Sequence, residues 1–215
     1  MEGEGSFLAF PNAYVSTDEP PGRSWKLSAL CLLAMAGVGY LGAVILLLSL
    51  VTKEYSPVTQ VASDYGVGTY SLAMNAGFFF AGIAVISLAA AILTSSRQRV
   101  QRVGAILLLL SGLMLLTNAF FQTDIEGAVS TLHGTVHGLA GVVFFIASPI
   151  GLLLVNRSFG RVRFVLPFAA FALGYGFVLV NPVAGLDAAG LSERMVILFV
   201  FSSLILTAAK VYSEA

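Results

Sequence analysis

The stretch LSALCLLAMAGVGYLGAVILLLSLV occupies residues 27–51 and contains no charged residue. A helix of about 20 apolar residues is long enough to cross the roughly 30 Å hydrocarbon core of a bilayer. A helix also satisfies its own backbone hydrogen bonds, which a segment surrounded by lipid must do. This stretch therefore predicts a membrane-spanning helix.

Apolar runs of similar length fill the rest of the chain. The 215 residues are 58% hydrophobic and 10% charged, with a mean hydropathy of +0.92, whereas soluble domains contain about 25% charged residues. We expect an all-α integral membrane bundle of six helices, forming a single domain over residues 27–212 after a polar tail over residues 1–26. The further predicted spans are about 70–94, 103–121, 132–155, 164–181 and 191–212.

Basic residues are distributed unevenly between the two ends of the predicted spans. Only Lys53 and Arg194 fall on one side. Because basic flanks stay in the cytoplasm, we expect both termini to be cytoplasmic and the protein to lie in a plasma or inner membrane. The bilayer is then the expected partner, protein partners stay open, and the zero net charge gives no reason to expect nucleic acid. The basic side carries Arg23, Lys26, Arg97, Arg99, Arg102, Arg157, Arg161, Arg163 and Lys210.

The only two histidines occur in TLHGTVHG at 131–138, where the fourth predicted span begins. His133 and His137 are four residues apart and project from the same side of a helix. This spacing resembles the zinc motif HExxH, although Gly-Thr-Val stands between the histidines and the catalytic glutamate is missing. A zinc ion held by both histidines would take a third ligand from Asp64 or Asp124, and either carboxylate is also a candidate general base.

Further polar residues are expected near the same membrane face. Ser63 is a candidate nucleophile near a histidine, and a local hydrogen bond within its own loop is the alternative role. The histidines also have an alternative role, which is to hold the outer loops through hydrogen bonds to Asp64 and Asp124. A proton relay or a direct ligand contact is a further possibility for them. The expected cluster comprises Ser63, Asp64, Asn75, Asn118, Gln122, Asp124, His133 and His137.

Small residues recur at helical spacing in several predicted spans. Such residues let membrane helices approach closely, so these patterns indicate a packed bundle. In the fourth span, Gly134, Gly138 and Gly141 form one stripe. We expect this stripe to allow close approach of the second or third span.

The order of these motifs resembles a known family, the domain of unknown function 998, whose members are six-span membrane proteins. The resemblance covers about residues 30–210. It implies six spans and a polar extracytoplasmic cluster, and it brings no established activity. The matching motifs are YSPVTQVASDYG (55–66), MNAGF (74–78), FFQTD (120–124) and HGTVHG (133–138), with Ser63, Gly66, Asn75, Asp124, His133 and His137 at the family's polar positions.

These observations leave three functional interpretations open. The first is a multi-pass membrane protein of unknown activity with a polar His/Asp/Ser cluster at its extracytoplasmic face. The second is a metal-dependent, membrane-embedded hydrolase that acts on a lipid-like substrate. The third is an accessory, transport or pH-sensing subunit, the last because an unperturbed histidine titrates near pH 6.5. The scarcity of ionisable residues in the middle of the spans weighs against transport.

Overall fold

The computed structural model describes residues 24–125, 127–157 and 161–214. Most of the predicted tail, residues 1–23, lies outside this part of the chain. Every element within it is helical. The elements are α1 (Trp25–Val51), a short 3-10 helix (Ala62–Gly66), α2 (Ser71–Ser95), α3 (Arg99–Phe120), α4 (Leu132–Asn156), α5 (Arg161–Ala169), a π-helical turn (Ala170–Gly174), α6 (Tyr175–Val183) and α7 (Ala189–Ser213).

Five of the helices are long and apolar enough to cross a membrane, as judged by length and composition. They are α1, α2, α3, α4 and α7, which correspond to the first four predicted spans and the sixth. Large apolar side chains such as Leu46, Leu50 and Leu72 are exposed on their outer faces. Lipid chains suit such faces, whereas water does not. The chain is therefore a multi-pass membrane protein.

The helices pack in chain order, and α7 closes the bundle. Extensive contacts join α1 to α2, α2 to α3 and α3 to α4, while α7 packs against α1 and also reaches α4. The interior is filled by side chains such as Leu41, Val85, Leu108 and Val200, which are almost completely buried. The α5–π–α6 segment packs mainly on α7, with α5 also touching α4. It therefore lies beside α4 and α7, away from the α1–α2 side.

Two pairs of glycines join α2, α3 and α4. A Cβ added at Gly112 would lie 2.9 Å from the carbonyl oxygen of Gly82, and one added at Gly82 would lie 2.9 Å from the Gly112 oxygen. Gly104 and Gly151 relate α3 to α4 in the same reciprocal way, at 2.7 and 2.9 Å. These helices approach so closely that only glycine fits at the crossing points, as expected for small residues between membrane helices.

Hydrogen bonds define which ends of the helices lie together. Asn156, the last residue of α4, donates from Nδ2 to the hydroxyl oxygen of Thr207 over 2.9 Å, near the C-terminal end of α7. At the opposite end of α7, the Gly190 N–H donates to the Thr59 carbonyl over 3.2 Å. The C-terminal end of α4 and the N-terminal end of α7 therefore lie at opposite ends of the bundle.

The segment predicted as the fifth span, residues 164–181, is helical but interrupted. Pro167 lies in α5, and the π-helical turn separates α5 from α6. In α4, Pro149 has no N–H to donate to the Phe145 carbonyl four residues earlier. The hydroxyl of Tyr175, the first residue of α6, donates to this same carbonyl. The break in the fifth segment thus brings a donor to an acceptor that proline leaves unpaired in α4.

Candidate functional site

A cavity of about 220 Å³ lies inside the bundle, bordered by the 3-10 helix, α1, α2, α3, α4 and α7. Its wall is mostly apolar and includes Phe78 and Leu115. The polar side chains at its edge are Ser63, Asn118, His137 and Glu193. The fold thus brings three residues of the expected polar cluster, from three separate parts of the chain, to one space.

Asn118 has unmet hydrogen-bonding capacity at the cavity wall. Its side chain is 4% exposed, and its buried Oδ1 has no hydrogen-bond partner. A buried amide oxygen left unpaired costs about 1–3 kcal/mol. Such an atom beside a cavity suits a bound molecule that supplies the missing hydrogen bond.

His137 is buried, and its ring has a defined orientation. Its Nδ1 lies 2.7 Å from the carbonyl oxygen of Phe121, just beyond the end of α3. Because a carbonyl oxygen only accepts, Nδ1 carries the proton in this bond, and Nε2 of the neutral ring is an acceptor. The ring packs edge-on against Phe78 with centroids 5.7 Å apart. The polar contacts of the His137 ring therefore go to backbone groups at the end of α3, those of Phe121 and Asn118.

His133 occupies a different environment from His137, although both lie on α4. Its side chain is exposed, and its ring packs against the Phe121 ring at 5.2 Å. The two histidines therefore hold Phe121 from two directions, one through its ring and one through its carbonyl. The pair thus contacts the end of α3 through Phe121, and the expected hydrogen bonds from the histidines to Asp64 and Asp124 stay a prediction.

Asp124 is bound to the start of α4. Its two carboxylate oxygens accept from the Thr131 N–H over 2.9 Å and from the Thr131 hydroxyl over 2.6 Å. Thr131 in turn caps α4 by accepting from the Gly134 N–H. These two bonds, and the charge of His133 to a smaller extent, hold the pKa of Asp124 below its ordinary value. A carboxylate in this position stabilises a helix N-terminus.

The other expected cluster residues are dispersed. Asp64 is 9% exposed in the 3-10 helix and lies close enough to Glu193 to interact with it electrostatically. Asn75 donates from Nδ2 to the Gly66 carbonyl over 3.1 Å and so fastens the 3-10 helix to α2. Gln122 is exposed.

No zinc site is evident in the described part of the chain. Within residues 24–125, 127–157 and 161–214, no three His, Cys, Asp or Glu side chains are grouped so that they could hold a metal ion. Asp124 is engaged with Thr131, and the two histidines have different surroundings. The zinc ion held by His133 and His137 therefore stays a prediction.

Glu193 and Arg194, in the second turn of α7, were not among the expected site residues. The Glu193 carboxylate accepts from the Ala62 N–H. Arg194 donates to the Gln60 carbonyl over 2.6 Å and contacts both the hydroxyl and the ring of Tyr65. The sequence does contain a signal for these two residues, because they are an adjacent pair of opposite charges within a predicted apolar span. Ionisable residues in such spans usually have a functional role.

A second cavity of about 540 Å³ lies between α4, the start of α6 and α7. Its wall is mostly apolar and includes Ile146 and Val196, and Tyr175 borders it. The two cavities are neighbours, because Phe145 and Glu193 border both. The smaller cavity has a polar edge in the bundle, and the larger apolar cavity lies beside it toward α6.

The glycine stripe of α4 does not mediate close helix packing, so that prediction was wrong. A Cβ added at Gly138 or Gly141 would meet nothing within 4 Å beyond its own helix. Both residues border the smaller cavity, and Gly134 packs against the Asp124 carboxylate. Gly138 and Gly141 thus leave space open because they have no side chains.

Comparison with known proteins identifies the family but no activity. No curated protein and no solved structure shows a match to this chain. The model of the family described as "Protein of unknown function (DUF998)" matches residues 34–210, which include α2, α3 and α4, the larger part of α1 and nearly all of α7. The chain belongs to this DUF998 family.

Proposed function

We propose that the protein crosses a plasma or inner membrane six times, with both termini in the cytoplasm. The α5–π–α6 segment supplies the additional crossing, because α4 ends and α7 begins at opposite ends of the bundle. Helical residues 161–183 span roughly 34 Å at about 1.5 Å per residue, which matches a bilayer core. The orientation is supported by the nine basic residues on one side.

Cysteine labelling in intact cells tests this topology. The single native cysteine, Cys31, is completely buried and serves as a silent background. A membrane-impermeant maleimide is expected to label Thr69→Cys and Leu186→Cys from outside, and Gln98→Cys only after permeabilisation. Protection of Leu186→Cys in intact cells would contradict a crossing between α4 and α7.

We further propose that the protein binds an amphipathic, lipid-like molecule in the two neighbouring cavities. The polar part would lie beside Asn118, His137, Ser63 and Glu193, at the edge of the smaller cavity. The chain would occupy the larger apolar cavity between α4, α6 and α7. The observation that carries this proposal is the unpaired, buried Oδ1 of Asn118 in a mostly apolar wall.

The size and the wall of the larger cavity support a lipid-like ligand. Small-molecule pockets measure roughly 300–1,000 Å³ and are lined mainly by apolar residues with a few placed polar groups. The cavity of about 540 Å³ falls within this range. With the polar groups in the topology proposed above, the head group lies toward the extracytoplasmic face.

Photo-crosslinking of a fatty-chain probe tests this binding. The purified full chain in phosphatidylcholine nanodiscs is expected to react saturably with a diazirine-bearing monoacylglycerol, at peptides of α4 and α7. Gly141→Leu fills the smaller cavity and is expected to abolish the saturable part. Gly39→Leu is the matched control, since a Cβ there also has no neighbour within 4 Å. Equal labelling of all three proteins would overturn the proposal.

A second candidate function is hydrolysis of the bound molecule. The observation that favours it is the orientation of His137, whose Nδ1 donates to a backbone carbonyl, as metal-bound histidines commonly do. Elemental analysis of the wild type beside the His133→Ala, His137→Ala double variant tests the metal-dependent form. Near-stoichiometric zinc that is lost in the double variant would support it. Absence of metal from two equally folded samples would remove it.

A further inference from the structure

We propose that the two cavities select a single-chain amphiphile whose head group donates hydrogen bonds and carries no negative charge. This inference rests on the amphiphile binding proposed above and specifies the class of ligand. The features that lead to it are the acceptors at the polar edge, the charges around both cavities and the size of the apolar extension.

The polar edge offers mainly hydrogen-bond acceptors. Oδ1 of Asn118 has no donor. Nε2 of the neutral His137 ring accepts, because Nδ1 is the donor to Phe121. The Glu193 carboxylate accepts from Ala62 and has capacity for further donors. A hydroxyl or ammonium head group satisfies such a set, whereas a phosphate or carboxylate brings only more acceptors.

The charges around the cavities are unfavourable for an anion. Among the described residues that border either cavity, Asp187 and Glu193 are acidic and none is lysine or arginine. Arg194 and, more weakly, Asp64 interact electrostatically with Glu193, with opposite signs. The adjacent cation, Arg194, directs its guanidinium to the Gln60 carbonyl and to Tyr65. An anionic head group would lose its hydration here without gaining a cationic partner, which is costly.

The apolar extension fits one chain. The larger cavity measures about 540 Å³, within the roughly 300–1,000 Å³ of pockets that hold one small ligand. Glu193 and Phe145 border both spaces, so that a head group at Glu193 can continue into a chain between α4 and α7. A single-chain lipid with a hydroxyl or amine head group has this shape and polarity.

Competition against the diazirine monoacylglycerol tests the head-group class. The full chain in phosphatidylcholine nanodiscs is challenged with unlabelled monoacylglycerol, a long-chain primary amine and lysophosphatidic acid, all of equal chain length. The first two are expected to compete at least about tenfold better than lysophosphatidic acid, a difference of ~1.4 kcal/mol. Competition by lysophosphatidic acid that equals or exceeds the other two would overturn the inference.

Two substitutions separate the charge from the hydrogen bonds. Glu193→Gln retains an oxygen for the Ala62 N–H but removes the negative charge, so the discrimination against lysophosphatidic acid is expected to fall to about threefold. Asn118→Leu is expected to weaken monoacylglycerol without strengthening lysophosphatidic acid. Glu54→Gln, in the loop after α1, is the control carboxylate. Unchanged discrimination in folded Glu193→Gln would overturn the assigned role of the charge.

The outcomes distinguish this inference from the function on which it rests. Saturable labelling that Gly141→Leu abolishes, combined with a preference for lysophosphatidic acid, leaves amphiphile binding in place and overturns only the head-group class. Labelling that is not saturable in the wild type overturns both.

Discussion

Glycines have opposite roles on the two sides of α4. At the contact with α3, Gly151 lies against Gly104, and the backbones approach more closely than any side chain allows. Toward the interior cavity, Gly138 and Gly141 have nothing within 4 Å of where a Cβ would stand. On one side of α4 glycine therefore allows direct backbone contact with α3, and on the other side glycine leaves space beside the helix.

The comparison teaches that small residues in a membrane helix do not identify its packing face by themselves. A glycine brings two backbones together where the partner helix also presents a small residue, as Gly82 does for Gly112. Where no neighbouring group lies beside it, as at Gly138, the same residue type leaves space. In this protein the space lies beside Asn118 and His137, which supply the polar edge of the candidate site.

A single methyl group added at a close glycine contact and on the open side of α4 gives the largest expected contrast. Gly112→Ala places a Cβ 2.7 Å from Ile86 Cγ1 and 2.9 Å from the Gly82 carbonyl oxygen. Overpacking of this kind costs about 1–3 kcal/mol of the free energy of unfolding. Gly138→Ala meets no neighbour and is expected to be neutral or to stabilise by up to about 1 kcal/mol through helix propensity.

Reversible unfolding of both variants in mixed micelles measures this contrast. Equal destabilisation by Gly112→Ala and Gly138→Ala would show that the space beside Gly138 is closed in the membrane, and the comparison would fail. Gly39→Ala, whose Cβ also has no neighbour within 4 Å, controls for the general effect of replacing glycine in an apolar helix.

The hydrogen bond between Tyr175 and Phe145 joins the α5–π–α6 segment to the open side of α4. Tyr175→Phe leaves the Phe145 carbonyl without its donor, because Pro149 cannot supply one. Hydrogen bonds between membrane helices contribute about 0.6 kcal/mol on average and up to about 1.7 kcal/mol. We expect a loss in this range, read as a lower free energy of unfolding.

A double-mutant cycle with Pro149→Ala sharpens this prediction. Alanine at position 149 has an N–H that can donate to the Phe145 carbonyl, so Tyr175→Phe is expected to cost close to nothing in that background. An equal cost in both backgrounds would mean that Tyr175 stabilises the helix pair by packing and that its hydroxyl is not required.

The multi-pass helical fold could be predicted from the sequence because span length and apolar composition are local properties. Four predicted spans coincide with α1, α2, α4 and α7 to within about three residues, and the third, 103–121, begins four residues after α3 does. The interruption of the fifth segment was less accessible. A proline such as Pro167 can kink a helix, but the local sequence does not indicate the π-helical turn that follows it or the contact of Tyr175 with the Phe145 carbonyl.

The candidate site could be predicted only in part. His137, Asn118 and Ser63 were expected near one face of the membrane, and the fold brings them to one cavity. The spacing of the two histidines did not predict their different environments. Positions four apart share a helix side, but His133 projects beyond the bundle while His137 is buried. The contact of Gly151 with Gly104 of α3 sets the rotation of α4 about its axis, and this rotation determines which residues face the cavity. Both glycines lie far along the chain from the histidines.

The N-terminal end of α4 offers a last and smaller test, since it borders the open side of the helix. Asp124 holds this end through Thr131, and its pKa is lowered by those bonds. A lowered pKa in the folded state means that the stabilisation is present above the ordinary aspartate pKa of about 3.9 and is lost as the pH falls through the lowered value.

Asp124→Asn is therefore expected to increase hydrogen exchange in the first turn of α4 at neutral pH, and to match the wild type in acid. The control variant Glu54→Gln, in the loop after α1, is expected to show the same hydrogen exchange in this turn as the wild type at every pH. If Asp124→Asn and the wild type differ equally at neutral and acidic pH, the contact acts through shape and not through charge, and the start of α4 is held by the Thr131 cap alone.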